Sequence, residues 1–263
     1  MGEPGLPTLR VVPTDRVASV AGEVIADALA DAVAARGVAH WATTGGSTAR
    51  GLYEALLALP AGRVPWDRVH VWWGDDRFVP YDHAESNVLP FDTILLGVMQ
   101  AEGGPLGAPI PGDHVHRWPI PQAIASGGGA AGAAAGYADQ LRGLAPLDDA
   151  GTPVLDLVVL GAGPDGHVLS VFPGSPVWDS PEVTAPVPAP DHVEPHIERV
   201  TLHPRLIAAS RAVLVVTTGA AKADKVRLAW AGDDARELPL RAARLATATW
   251  VVDEAAAAGL PER

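Results

Sequence analysis

The sequence predicts an α/β protein: a mostly parallel, Rossmann-like sheet with helices on both faces. Short apolar runs bounded by Gly and Pro alternate along the chain with segments of helical periodicity. That alternation is what parallel β-α-β crossovers require. Three of the apolar runs also end in turns that carry Asp, Arg, His, Ser or Thr, as expected at the carboxyl edge of an open sheet, where ligands bind. The chain has 263 residues, and its length suits one α/β domain spanning residues 1–263.

Leu9–Val12 reads as the first strand. Val17, Val20, Ala21, Val24, Ile25 and Ala28 then form a helical stripe, most simply explained by core packing. A strand at Val38–Ala42, a helix from about Thr48 and a strand at Val69–Trp73 follow. A helix is expected to begin around Pro90, because proline is tolerated in a first turn. Ala101–Gly112 reads as a Gly/Pro-rich loop and Val115–Trp118 as a short strand. The low-complexity stretch Gly127–Gly136 runs into a helix at Tyr137–Leu144 rather than serving as a linker, since the strand at Leu155–Leu160 follows soon after. Val177–Ile197 is Pro-rich and reads as a covering loop. Strands at Arg199–Leu202 and Ala212–Thr217, a helix from Ala220, a strand at Thr247–Val252 and a short Ala-rich helix complete the chain. Eight Trp against three Phe and three Tyr is unusual. Without interleaved basic residues they suit a core better than a base-stacking platform.

Three turns carry the chemistry. In Leu155–Pro173 the strand ends in Gly161, Gly163, Pro164 and Gly166, and the turn displays Asp165 and His167. Histidine changes charge near neutral pH and suits proton transfer, although a lone histidine is more often structural. In His40–Leu52 the strand runs into Gly45, Gly46, Ser47 and Thr48. Paired glycines let backbone N–H groups approach an anion, and Ser47 or Thr48 can cap the helix; an ordinary capped turn fits equally well. The loop is neither a Walker loop nor GxGxxG. In Asp67–Asn87, Asp75, Asp76 and Arg77 follow Gly74. Arginine suits bidentate phosphate recognition, against the plainer reading of a surface ion pair.

The net charge of −12 argues against nucleic acid and anionic membranes as partners. An anionic ligand therefore needs a local basic cluster, for which Arg77, Arg199 and Lys222 are the candidates. Zero Cys excludes disulfides and thiolate chemistry, and no HExxH-like ligand spacing occurs, so no metal site is expected. No apolar run reaches membrane-spanning length and MGEPGLPTLR lacks signal-peptide order, so a cytoplasmic protein is the default. Nothing in the sequence signals an oligomer, and a monomer is favoured.

Together these segments resemble the 6-phosphogluconolactonases, sugar-phosphate lactonases related in fold to glucosamine-6-phosphate deaminases. The resemblance rests on Gly45-Gly46-Ser47-Thr48, Asp75-Asp76-Arg77, Ser86-Asn87, Gly161–His167, Ser170–Pro173, Glu198–Leu202, Gly219–Ala223, Leu238-Pro239 and Trp250–Ala256, in that order over roughly residues 10 to 258. It implies hydrolysis of 6-phospho-D-glucono-1,5-lactone to 6-phosphogluconate in the oxidative pentose phosphate pathway, without cofactor. His167 would be the general base and Asp165 would orient the site. The Gly45–Thr48 backbone, Arg199 and Lys222 would hold the phosphate, with Asp75 and Arg77 at the substrate. Backbone N–H groups of Gly161–Gly166 would stabilise the oxyanion.

The related deaminases carry a Glu five residues after the histidine. Phe172 stands there, as in the lactonases, which favours hydrolysis. A deaminase or isomerase and a non-catalytic sugar-phosphate sensor are the alternatives; this chain lacks the sensors' DNA-binding segment. Three departures from the lactonase pattern stand out. Asp76 replaces a Glu, Val168-Leu169 replaces Thr-Ala, and Glu194 stands where the family often has a Lys.

Overall fold

The computed structural model describes residues 5–100 and 109–260, with the side chains of Ser47 and Gln100 left out. Most of the Gly/Pro-rich loop expected at Ala101–Gly112 lies outside the described residues. Ten strands form two sheets among the described residues.

The main sheet has the order β1 (Thr8–Val12), β10 (Ala248–Asp253), β9 (Val213–Thr217), β6 (Leu157–Gly161), β2 (Ala39–Thr43), β3 (Val69–Trp73), β5 (Val115–His116), and every pairing in it is parallel. From β2 the chain builds outward through β3 to β5, then returns to β6 and builds the other way through β9 to β10. The order therefore reverses between β2 and β6, the place where such sheets open a crevice at their carboxyl edge. Helix α1 (Val17–Arg36) lies across β2, β6, β9 and β10 and packs on α2 (Gly46–Leu57). Its stripe of Val17, Ala21, Ile25, Ala26, Leu29 and Ala32 is buried, and Gly37 ends it in the left-handed conformation (φ +78°).

Beyond β3, α3 (Val88–Pro90) passes through a π-helical segment, Phe91–Leu96, into α4 (Gly97–Gln100). Next come α5 (Ile120–Ser126) and α6 (Gly129–Leu144), the latter including most of the low-complexity stretch. After β8 (Arg199–Leu202) comes α7 (Arg205–Ala209), and after β9 comes α8 (Ala223–Ala231). Six tryptophans, at 41, 66, 72, 73, 118 and 250, are fully buried, so core packing is their role. No described helix is long and apolar enough to cross a membrane.

Three expectations need correction. Asp75–Arg77 is not a loop: it forms β4, which pairs antiparallel with β8 (Arg199–Leu202). The Pro-rich segment after Val177 is not all loop either, because Thr184–Val187 forms β7 and completes a three-stranded sheet of order β4-β8-β7. The short Ala-rich helix after β10 is a run of turns, in which the Asp253 carboxylate accepts the N–H groups of Ala256 and Gly219.

Candidate active site

β6 ends at Gly161, and the next turn is closed by the Gly163 N–H donating to the His167 carbonyl (2.9 Å) and the Gly166 N–H to the Gly163 carbonyl (3.0 Å). The His167 ring packs flat onto Gly163, where a Cβ would stand 2.0 Å from Nδ1, so no side chain fits. Nδ1 of His167 lies 2.5 Å from Oδ1 of Asp165, and both side chains are largely buried. Burial alone would raise the Asp165 carboxyl, but the hydrogen bond and charge of His167, with a further bond from His192, hold it well below the usual carboxylate range. An ionised carboxylate can only accept, so Nδ1 carries the hydrogen and the neutral ring keeps its lone pair on Nε2. Phe172 packs beside the imidazole, with ring centroids 4.7 Å apart.

The opposite wall is cationic. Arg77 and Arg199 are directly paired residues of the β4·β8 ladder, a placement that like charges ordinarily disfavour. Neither guanidinium forms a salt bridge among the described residues, and the Nε of each is buried without a hydrogen-bond partner. Arg77 Nη1 donates to the Glu85 carbonyl and to Asn87 Oδ1, both at 2.8 Å, which aims the group. Arg199 is 3% exposed and sits 5.5 Å over the Phe172 ring. Burial lowers its proton affinity, and the nearby Asp75 charge opposes that. Two adjacent cations, half-buried Arg77 and buried Arg199, with no carboxylate between them favour an anion.

The N-terminus of α2 meets the same space. Gly45 is its N-cap and no side chain caps it, which corrects the expectation of a Ser47 or Thr48 cap. Its first N–H groups and the positive end of its dipole are left for a ligand. Gly45 is bare because Asn87 fills the place of its side chain: a Cβ would stand 1.8 Å from Asn87 Oδ1.

These walls enclose a cleft of about 280 Å³, lined by Thr44, Gly45, Gly46, Thr48, Asp75, Arg77, Asn87, His167, Leu169, Glu194 and Arg199, among others. Asp75 is held by Ser170 Oγ (2.5 Å) and approached by Asn87 Nδ2 (3.4 Å). Asp76 is fully buried beneath the cleft, where it accepts the N–H groups of Arg77 and Asn87 and the Ser86 hydroxyl. Burial pushes its carboxyl up to about 7.

Not every expected residue reaches the cleft. Lys222 does not line it; its half-buried ammonium is lowered by desolvation and feels the Asp165 charge. Asp165 faces an adjoining cavity and acts on the cleft through His167. The N–H groups of Gly163 and Gly166 are spent inside the turn, so neither is free for an oxyanion. Glu194 does line the cleft, its carboxylate 3.0 Å from His196 Nε2.

Three residues of consequence were not singled out as site residues from sequence. Asn87 orders Arg77 and Asp75, and the Ser86-Asn87 pair was the available signal. His192 reaches Asp165 from the Pro-rich segment, where nothing in the sequence pointed to it. Leu169 lines the cleft in the left-handed region (φ +55°), a strained conformation for a branched side chain, and its neighbour Ser170 is thereby turned toward Asp75.

A family model described as glucosamine-6-phosphate isomerases/6-phosphogluconolactonase matches residues 13–252. The chain is 35% identical over 252 residues to a 6-phosphogluconolactonase of Mycobacterium tuberculosis, covering 94% of this chain and 96% of that protein. It is 34% identical over 246 residues to a 6-phosphogluconolactonase of Streptomyces coelicolor, covering 89% and 86%. The solved structure of 6-phosphogluconolactonase from Trypanosoma brucei superimposes with a TM-score of 0.80 at 28% identity, over 98% of this chain and all of that one. Cleft, motif order and these similarities agree, and the chain belongs to the glucosamine-6-phosphate isomerase/6-phosphogluconolactonase family.

Proposed function

We propose that this chain hydrolyses 6-phospho-D-glucono-1,5-lactone to 6-phospho-D-gluconate. The observation that carries the reading is one cleft in which half-buried Arg77 and buried Arg199, neither with a carboxylate partner among the described residues, and an uncapped helix N-terminus face an Asp-oriented histidine. The helix N-terminus and Arg199 grip the phosphate, and Arg77 supplies charge at the lactone end.

With the phosphate anchored, the lactone carbonyl lies beside His167. Nε2 takes a proton from water as the water oxygen bonds to C1, and the imidazolium is stabilised by the Asp165 charge. The C1–ring oxygen bond then breaks as the imidazolium returns the proton to the leaving oxygen. A positioned general base contributes roughly 10²–10⁴-fold. Developing negative charge on the carbonyl oxygen falls to the cationic wall rather than to the Gly163 and Gly166 N–H groups, which are already engaged. Phe172 packs on His167 where a deaminase would carry a carboxylate, which favours hydrolysis over ring opening.

The test compares phosphorylated with unphosphorylated gluconolactone, each corrected for spontaneous opening. The reading expects kcat/KM to favour the phosphorylated lactone by at least about 100-fold, the worth of two charge-assisted contacts. Equal rates on the two would remove the anion site from the mechanism.

A further inference from the structure

Asp165 has two imidazoles on it. Oδ1 meets Nδ1 of His167, and Oδ2 meets Nε2 of His192 at 3.1 Å. His192 belongs to the segment between β7 and β8 that also brings Val193 and Glu194 to the cleft. Its other nitrogen, Nδ1, lies 3.2 Å from Asp191 Oδ1, and its ring stands edge-on to Phe172 at 5.4 Å. Phe172 thus supports His167, His192 and Arg199 at once. With an ionised carboxylate at each ring nitrogen, both nitrogens must donate, so this geometry holds His192 as the imidazolium.

We propose that His192 is a positioning residue for His167, fastening the covering segment to the catalytic turn and sharing the Asp165 charge between two rings. This rests on His167 being the base. An imidazolium on Oδ2 withdraws part of the negative charge that His167 faces through Oδ1, so its removal is read in the acid limb of the rate profile. Both contacts with carboxylates favour the charged form of His192.

Charged groups face this pair from several elements. Asp191 and Glu194 lie on the segment of His192 itself. Arg199 and Lys222 act on Asp165 from β8 and from the turn before α8. Lys225, Glu237 and Arg241 share the adjoining cavity with Asp165 and His192, and Arg241 is paired with Glu237.

The test is the pH profile of kcat and KM for lactone hydrolysis in wild type, His192→Ala, His192→Gln and His167→Asn. His192→Ala should lower kcat about 3–10-fold and move the acid limb upward by on the order of half a pH unit, the scale of one unit charge on a half-exposed ring acting across the Asp165 carboxylate. Gln reaches the same oxygen without charge, so it should recover kcat while the acid limb stays displaced. An acid limb that matches wild type in both variants overturns the proposal, even if stability falls. If the Ala variant does not fold, the Gln variant alone decides. Should His167→Asn keep its turnover, the base itself is misassigned and the proposal goes with it. If His167→Asn is inactive and both His192 variants behave as wild type, only the role of His192 is lost.

Discussion

The proposed reading gives His167 and Arg199 different work, and substitution should separate them. His167→Asn keeps a polar side chain but cannot take a proton near neutral pH, so kcat should fall by about 10²-fold or more with KM little changed. Steady-state kinetics on folded protein checks this. Arg199→Gln should act the other way, raising KM by the equivalent of about 1.5–3 kcal/mol with a smaller effect on kcat, and Lys222→Ala should cost clearly less because that side chain does not line the cleft. A larger KM effect from Lys222 than from Arg199 would reverse the assignment. That His167, Arg77 and Arg199 line one cleft was legible in sequence, because each sits at a strand end or in a strand beside a recognisable turn. Lys222, also named from sequence, does not line the cleft. Its turn follows β9, next to β6 in the sheet, so the turn reaches the right edge while the side chain turns towards Asp165.

At the level of elements, the parallel sheet was legible because its central strands are buried on both faces and read as continuous apolar runs. The β4-β8-β7 sheet was not. Its strands have three or four residues, and they carry Asp75, Arg77, Arg199 and Pro186, which hide any apolar alternation. Pro186 is tolerated because β7 lies at the sheet's edge. The missing C-terminal helix follows from length: a few alanines cannot offset the nucleation cost, and Asp253 takes the N–H of Ala256 first. The covering segment yields its own prediction. Glu194 lines the cleft across from two cations, so Glu194→Lys should lower KM for the phosphorylated lactone, as an attracting charge replaces a repelling one. A raised KM would mean that Glu194 holds His196 for a purpose the substrate needs.

Across the whole molecule, buried ionisable groups pull stability in opposite directions with pH. His40, His70 and His116 form a stack beside Trp72 on the β2-β3-β5 side of the sheet, with Nδ1 of His70 2.8 Å from Nε2 of His116. Burial, then mutual repulsion, pushes His40 down to about 3 and His70 and His116 to about 4. The unfolded chain therefore binds more protons below about pH 6.5, and stability should be lost as pH falls from there towards 4. Asp76, raised to about 7, has the reverse sign: the folded state holds its proton, so its contribution fades as pH rises from about 4 to 7. Thermal unfolding between pH 4 and 7 should show the histidines dominating, with a midpoint that drops by several degrees on acidification and a shallower slope in His70→Gln. A midpoint that rises on acidification would mean Asp76 outweighs the stack.

The most direct test of the account is the rate of 6-phosphogluconate formation from 6-phospho-D-glucono-1,5-lactone, corrected for spontaneous opening, for wild type and His167→Asn side by side. Ammonia release from glucosamine 6-phosphate is followed in parallel. The cleft geometry predicts rapid lactone hydrolysis by wild type, at least about 100-fold loss in the variant, and no ammonia from either. Ammonia release without lactone hydrolysis, or a His167→Asn enzyme as fast as wild type, would contradict it.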